Sequence, residues 1–169
     1  MSDFSSKFGL GTVVTHVAEG HNAQHAHVTP IYQTSTFSFP DVATGASIFK
    51  GEQPGYVYTR INNPNLDQLA QKYAVLEGLD LLRAQPERPV EEVVDGWVFG
   101  SGMAAITSAI LARVKGGDTV IAQEALYGAT FTFLHDMAPQ YGIKVVWLKD
   151  YSAASWEKAF AENPQATLA

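Results

Sequence analysis

Cysteine is absent from all 169 residues. That absence removes disulfide scaffolds, thiolate metal sites and cysteine nucleophiles together, and it fits a reducing, cytoplasmic setting. Cations are few: eleven Lys and Arg stand against seventeen Asp and Glu, a net charge of −6. Non-specific nucleic-acid affinity comes from Lys and Arg neutralising phosphates, so no nucleic-acid partner is expected. Long apolar runs are missing as well. The most apolar stretch, around Met103 to Val114, is interrupted by Thr107, Ser108 and Arg113, and it is too short and too polar to span a bilayer. No membrane partner is expected. The start, Met1-Ser2-Asp3-Phe4-Ser5-Ser6-Lys7, has no basic stretch followed by an apolar core, so it does not read as a secretory signal. What is present, 46% hydrophobic and 17% charged residues, is the composition of one soluble, intracellular globular domain.

Two regions differ in pattern. Residues 1–62 form an arm with little periodicity, rich in Gly, Thr, His and Pro. Between Tyr32 and Tyr58 fall six aromatics, Tyr32, Phe37, Phe39, Phe49, Tyr56 and Tyr58. They cannot make a core alone and are expected to pack on the rest of the chain or on a second subunit. Ile31 to Phe37 reads as strand-like and Asp41 to Phe49 as a helical turn or two. Regular structure begins at Asn63-Pro64, a good N-cap followed by a residue whose φ is already helical. Leu66, Leu69, Tyr73 and Leu76 then recur at helical spacing until Gly78. Residues 83–92, charged and carrying two prolines, read as a surface loop. Beyond them strands and helices alternate. Strands are expected at Val93–Phe99, Thr119–Ala122 and Ile143–Leu148, with the beginning of another at Thr167-Leu168-Ala169. Helices are expected at Gly102–Lys115, Ala129–Tyr141 and Ser152–Glu162. The class is α/β: a parallel-type sheet flanked by helices, preceded by an extended arm. Parallel sheets need several strands and two covered faces, so the chain reads as the N-terminal part of a larger protein rather than a small complete domain.

Three local features carry chemistry. Val98-Phe99-Gly100-Ser101-Gly102-Met103-Ala104-Ala105 takes a strand through small residues into a helix, where free amides and the dipole face the sheet edge as a phosphate site. The same stretch reads G-x-G-x-x-A from Gly100 through Gly102 to Ala105, with Glu124 lying 24 residues beyond Gly100. A nicotinamide or flavin dinucleotide-binding domain would use that pattern, although its fingerprint normally opens the domain. In Tyr56-Val57-Tyr58-Thr59-Arg60, Tyr58 and Arg60 alternate and share one side of an extended segment, where a phenol and a guanidinium suit a phosphate. The alternative is a structural Arg60 in a salt bridge. Tyr127-Gly128 follows the second strand, at the edge where open α/β sheets bind ligands; Tyr127 either stacks on a flat ligand or packs under a loop. His16, His21, His25 and His27 are irregularly spaced and read as solvated loop residues, with no metal site expected.

Together these features resemble the pyridoxal-phosphate (PLP) enzymes of cysteine and methionine metabolism, the trans-sulfuration enzymes. The resemblance runs through Pro30-Ile31-Tyr32-Gln33-Thr34-Ser35-Thr36-Phe37, Tyr58-Thr59-Arg60 with Asn63-Pro64, and Leu76-Glu77-Gly78. It continues through Ser101-Gly102-Met103-Ala104-Ala105, Gly117-Asp118 and Tyr127-Gly128. It implies the N-terminal part of a fold-type I PLP-dependent transferase, with residues 1–62 as an arm serving the neighbouring subunit. Residues 63–169 would be the first half of the large PLP-binding domain. The implied reaction is γ- or β-elimination or replacement on sulfur amino acids or homoserine esters. By the same resemblance Ser101, Gly102 and Met103 hold the cofactor phosphate, and Tyr58 and Arg60 reach it from the neighbouring subunit. Tyr127 stacks on the pyridine ring and is the candidate catalytic acid or base. The implied assembly is a homo-oligomer, with a dimer as the catalytic unit and a tetramer as the whole.

Two departures qualify the resemblance. The family's cofactor-anchoring lysine follows a Ser-x-Thr pattern that no lysine here shows, and the Asp for the pyridine nitrogen is not found either. The chain alone is therefore expected to be inactive, which leaves a non-catalytic interaction module as a further alternative. Methionine γ-lyases typically carry Cys after the Tyr-Gly pair, where this chain has Ala129. The 83–92 loop is longer than usual between its flanking elements.

Overall fold

A computed structural model describes residues 4–19, 22 and 25–169. The expectations for Met1 to Asp3 and for His21 lie outside the described residues. The chain divides into two compact units, Met1–Val98 and Phe99–Ala169.

In the first unit the helix at Asn63-Pro64 forms as its signals dictate. The Asn63 side chain accepts the Asn65 amide and Pro64 opens a helix, α3, over Pro64–Glu77. Gly78, expected to stop the chain's helical run, ends α3 without ending helical structure. This residue only bends the path (φ −93°, ψ 15°), and a further helix, α4, runs over Leu79–Ala84. A short helix, α5, follows at Val90–Val93. Pro89 supplies its starting φ of −54°, and the Arg88 guanidinium donates to the Glu92 carbonyl at 2.9 Å. The arm contributes two helices, α1 at Leu10–His16 and α2 at Val42–Phe49, the latter capped by the Asp41 carboxylate on the Thr44 amide at 2.7 Å. Val13 and Val17 of the α1 region are fully buried against Val75, Leu79, Leu82 and Val90. That core explains α1, whose Val and Thr residues have modest helix propensity of their own. Phe37 pairs with Tyr56 at 5.4 Å between centroids and Phe39 with Phe49 at 6.1 Å.

The strand expected at Val93–Phe99 is corrected. Val93 ends α5, and the residues after it are extended but pair with no strand among the described residues. A strand exists through its ladder, and an apolar run alone does not supply a neighbour.

The second unit begins at α6, Gly102–Arg113. Strand β1 is Thr119–Gln123, and it pairs in parallel with β2, Lys144–Leu148, with Thr119 opposite Lys144 and Gln123 opposite Leu148. The expected start of another strand pairs on β1's other side: Val120 bridges Leu168 in parallel, and the Ile121 amide donates to the Leu168 carbonyl at 2.9 Å. β1 is therefore central. Alternation then distributes its side chains between two cores. Val120 and Ala122 pack with Phe133, Leu134 and Ala138, while Ile121 packs with Leu148 and with Ala159 of α8, Ala153–Glu162. Helices thus cover both faces, as parallel pairing requires.

The helix expected over Ala129–Tyr141 is three joined pieces. α7 spans Gly128–Thr132, a wide π turn Phe133–Met137 and a 3-10 turn Ala138–Tyr141. Pro139 is the cause, since it has no amide to donate and its ring crowds the carbonyl four residues back. Gly142 ends the segment in the left-handed region at φ 75°, and Gly117 turns the chain into β1 at φ 97°. The two loops meet where the Gly117 amide donates to the Gly142 carbonyl at 2.9 Å.

Candidate functional site

At the start of α6 the local chemistry selects which donors stay free. Ser101 is extended (φ −158°, ψ 157°), and its hydroxyl accepts the Ala104 amide at 3.1 Å. Its carbonyl accepts the Ala105 amide at 3.1 Å. Those bonds leave the amides of Gly102 and Met103 as unused donors at the positive end of the helix. A Cβ placed at Gly100 or Gly102 would meet nothing within 4 Å, so an anion can approach the backbone directly. The Met103 side chain points the other way. It packs on the β1 core and accepts from the Thr130 hydroxyl at 3.7 Å. That contact joins the first turn of α6 to the first turn of α7. Tyr127, immediately before α7, is 72% exposed, and its carbonyl accepts the Phe131 amide at 3.0 Å. The open helix end and an exposed phenol ring therefore belong to one edge of this unit, beyond the C-terminal end of β1.

An apolar cleft of about 700 Å³ lies beneath, lined by Met103, Leu111, Ala129, Phe133, Met137 and Ile143 among others. Gly102 and Tyr127 do not line it. Ala129 faces this cleft, one residue past the Tyr-Gly pair.

Tyr58 and Arg60 lie in the first unit, and the extended reading of their segment is corrected: the Ile61 and Asn62 amides donate to the Tyr58 carbonyl at 2.8 and 3.1 Å, so the chain turns at Thr59 and Arg60. The strand-like reading of Ile31 to Phe37 has a partner here: Thr36 and Tyr58 form an antiparallel bridge, with the Phe37 amide on the Val57 carbonyl at 3.1 Å and the Thr59 amide on the Ser35 carbonyl at 2.9 Å. The Arg60 guanidinium sits over the Tyr58 ring, 5.1 Å from its centroid, a cation–π pair. Arg60 is exposed and has no carboxylate partner among the described residues. An open cleft of about 890 Å³ runs between the Ile31–Ser35 and Tyr58–Arg60 segments.

Sequence reasoning treated Asn63 only as a cap and passed over Asn65. Asn63 is buried and its amide donates to the Tyr32 carbonyl at 3.0 Å and to the Thr59 hydroxyl at 3.1 Å. Asn65 accepts the Tyr32 amide and donates to the Pro30 carbonyl, each at 2.8 Å. Two asparagines flanking a proline at a helix start were the available signal. Of the histidines, His16 lies 3.2 Å from Glu19, and no group of three metal-ligating side chains comes together among the described residues.

A cofactor carrying a phosphate on a flat aromatic ring fits these groups by donor chemistry. In the second unit, two unused amides at a helix end suit the dianion and an exposed phenol ring suits the flat face.

Comparison with known proteins agrees. The sequence pattern of the Cys/Met metabolism PLP-dependent enzymes matches residues 11–169. The L-methionine gamma-lyase of Porphyromonas gingivalis is 37% identical over 155 residues, covering 92% of this chain and 35% of that protein. A homocysteine/cysteine synthase of Kluyveromyces lactis is 32% identical over 149 residues, covering 88% of this chain and 30% of that protein. Among solved structures, an O-acetylhomoserine (thiol)-lyase of Campylobacter jejuni, which carries N'-pyridoxyl-lysine-5'-monophosphate, superposes with a TM-score of 0.74 at 27% identity, over 92% of this chain and 34% of its own. The chain spans about a third of the length of the curated relatives it matches.

Proposed function

The chain belongs to the Cys/Met metabolism PLP-dependent enzymes, and from that premise we propose that the full-length protein catalyses γ- or β-elimination or replacement on sulfur amino acids or homoserine esters. The family match leaves the dinucleotide reading of Gly100-x-Gly102-x-x-Ala105 without support. The observation that carries the proposal is the α6 opening, where Ser101 consumes the Ala104 amide and leaves those of Gly102 and Met103 directed outward beside an exposed Tyr127. Bound PLP supplies the electron sink that lets protons leave Cα and Cβ of the substrate. In this reading the chain's own residues bind and orient. The Gly102 and Met103 amides and the Ser101 hydroxyl would hold the phosphate, and Tyr127 would stack on the ring and pass a proton to the departing sulfur or oxygen. Tyr58 and Arg60 belong to the arm, residues 1–62, and serve the neighbouring subunit's phosphate. Residues 63–169 form the first part of the large domain. The assembly is a homo-oligomer built on a catalytic dimer, in the cytoplasm.

The test is the full-length protein, loaded with PLP and offered methionine, cystathionine and O-acetylhomoserine separately. Release of thiol or acetate from at least one is expected, together with a 2-oxo acid and ammonia where elimination prevails. Replacing Tyr127 with Phe, which keeps the ring and removes the proton, is expected to lower kcat by about 10²–10⁴-fold while PLP stays bound. No release from any of the three would overturn the proposal.

A further inference from the structure

The pairing that presents Tyr58 and Arg60 is thin. One antiparallel bridge and two flanking backbone bonds join the Ser35–Phe37 and Val57–Thr59 segments. An isolated two-stranded ribbon of that size is at best marginally stable in water. Something else must fix which way the two side chains face.

We propose that Asn63 and Asn65 are positioning residues for Tyr58 and Arg60, a two-amide clamp that locks the Tyr58–Arg60 segment against Pro30–Ser35 and aims the phenol and guanidinium at an anion. The proposal rests on the reading of Tyr58 and Arg60 as phosphate ligands. Asn63 is 3% exposed, and its amide makes three hydrogen bonds. Its oxygen accepts the Asn65 backbone amide at 3.0 Å, while its nitrogen donates both to the Tyr32 carbonyl at 3.0 Å and to the Thr59 hydroxyl at 3.1 Å. The Thr59 hydroxyl in turn donates to the Thr34 carbonyl. Asn65 grips the opposite segment from both sides, through the Tyr32 amide and the Pro30 carbonyl. Thr59 lies between the two ligand residues. The Ile61 and Asn62 amides close on the Tyr58 carbonyl at 2.8 and 3.1 Å, so Thr59 and Arg60 are the middle of a tight turn; tying the Thr59 side chain down fixes that turn, in which the guanidinium lies over the phenol. The clamp thus converts a helix cap into a register pin for an anion-binding pair.

A helix cap and a positioning clamp make different demands on Asn63. Serine caps a helix about as well as asparagine, but it is too short to bridge to both Tyr32 and Thr59. Asn63→Ser in the full-length protein therefore keeps the cap and removes the clamp. The readout is affinity of the cofactor-free protein for PLP and for pyridoxal, which has the same ring without the phosphate. Expected is a loss of about tenfold for PLP, the order of one charge-assisted hydrogen bond, with pyridoxal affinity unchanged. Arg60→Ala is expected to lower the PLP-over-pyridoxal preference at least as far. Asn63→Ser added to Arg60→Ala should then lower it little more, because the two act on one contact. If Asn63→Ser does not fold, Thr59→Val removes both hydroxyl bonds at nearly equal volume and the same ratio is read. A preference that stays at the wild-type value, or equal losses for both ligands, overturns the clamp. If Arg60→Ala itself leaves the preference unchanged, the phosphate reading of Tyr58 and Arg60 fails, and the clamp with it.

Discussion

Tyr56 stands two residues before Tyr58 in the same segment and meets a different fate. Burial pushes its phenol up to about 12, and the neighbouring Asp67 carboxylate, which its hydroxyl meets, pushes in the same direction. An ionised Tyr56 would lose solvation and face a like charge. The consequence for stability follows from linkage. Because the folded value lies above the ordinary 10.0, the contribution is fully present below about pH 10 and is lost as pH rises toward about 12. A spectrophotometric tyrosinate titration of the full-length protein should show one phenol ionising with unfolding above pH 10. In Tyr56→Phe that component should disappear and the alkaline fall in stability should become shallower. A titration indistinguishable from wild type would show that Tyr56 is not the group responsible. Tyr127, in contrast, is exposed, and Tyr58 is half-buried beneath the Arg60 guanidinium. The difference between these tyrosines is one of surroundings, and it is invisible in the residue type.

At the scale of elements, capping chemistry was the most legible part. Asn63, Ser101, Ser152 and Asp41 each stand at the helix start where their side chains accept a first-turn amide. α8 carries the fullest example. Asp150 accepts the Ser152 amide at 3.1 Å and the hydroxyls of Ser152 and Ser155 at 2.9 and 2.6 Å. The Ser155 hydroxyl leads the causes that hold the Asp150 carboxyl below its ordinary 3.8, with the Ser152 amide and hydroxyl next. A lowered carboxylate stabilises above the ordinary value and loses that contribution as pH falls through its folded value. The start of α8 should therefore fray in acid below about pH 4, and Asp150→Ala should fray it at neutral pH. The Trp156 indole resonance, whose ring lies 5.9 Å from Phe160, reports the change; a resonance that does not respond to Asp150→Ala would show that the network holds nothing. Less legible were α1, α4 and α5. Their residues lack a clear period, and they are helical because Val13, Val17, Leu79, Leu82 and Val90 bury one another. Val93–Phe99 failed in the opposite sense: the apolar run was visible and the absent neighbour was not.

Across the molecule, apolar surface stays open in both units. Leu66, Leu69 and Tyr73 form an exposed stripe on α3. α6 is largely apolar apart from Thr107, Ser108 and Arg113 and buries none of its residues, with Ile106 36% and Leu111 47% exposed. Uncovered apolar faces of this kind favour association. The 169-residue chain alone should bind a hydrophobic dye and self-associate, as light scattering would show. Mixed with PLP, cleared of excess and treated with borohydride, it should carry no cofactor on any single lysine and turn over none of the three substrates. Contacts to a phosphate and one ring supply binding but no covalent anchor. Lys115 is the instructive case. It lies just past the far end of α6, about 18 Å from the Gly102 amide at 1.5 Å per residue, and its own amide is bound to the Asp118 carboxylate at 2.9 Å. A stoichiometric adduct mapped to Lys115 would contradict this expectation.

What the sequence determined by itself was local. Small residues between an apolar run and a helix, an asparagine cap before a proline, a Tyr-x-Arg and a Tyr-Gly pair are read within a few positions, because amide and side-chain geometry act over that range. They were enough to identify the family and to nominate Ser101, Gly102, Met103, Tyr58, Arg60 and Tyr127. Tertiary structure alone decided which apolar segments found partners. It made β1 central by pairing it with both β2 and Leu168. It also turned Asn63 and Asn65 toward residues 31 and 35 positions away in the chain. Such contacts depend on long loops closing and on which surfaces exclude water, and neither is written in the spacing of neighbouring residues.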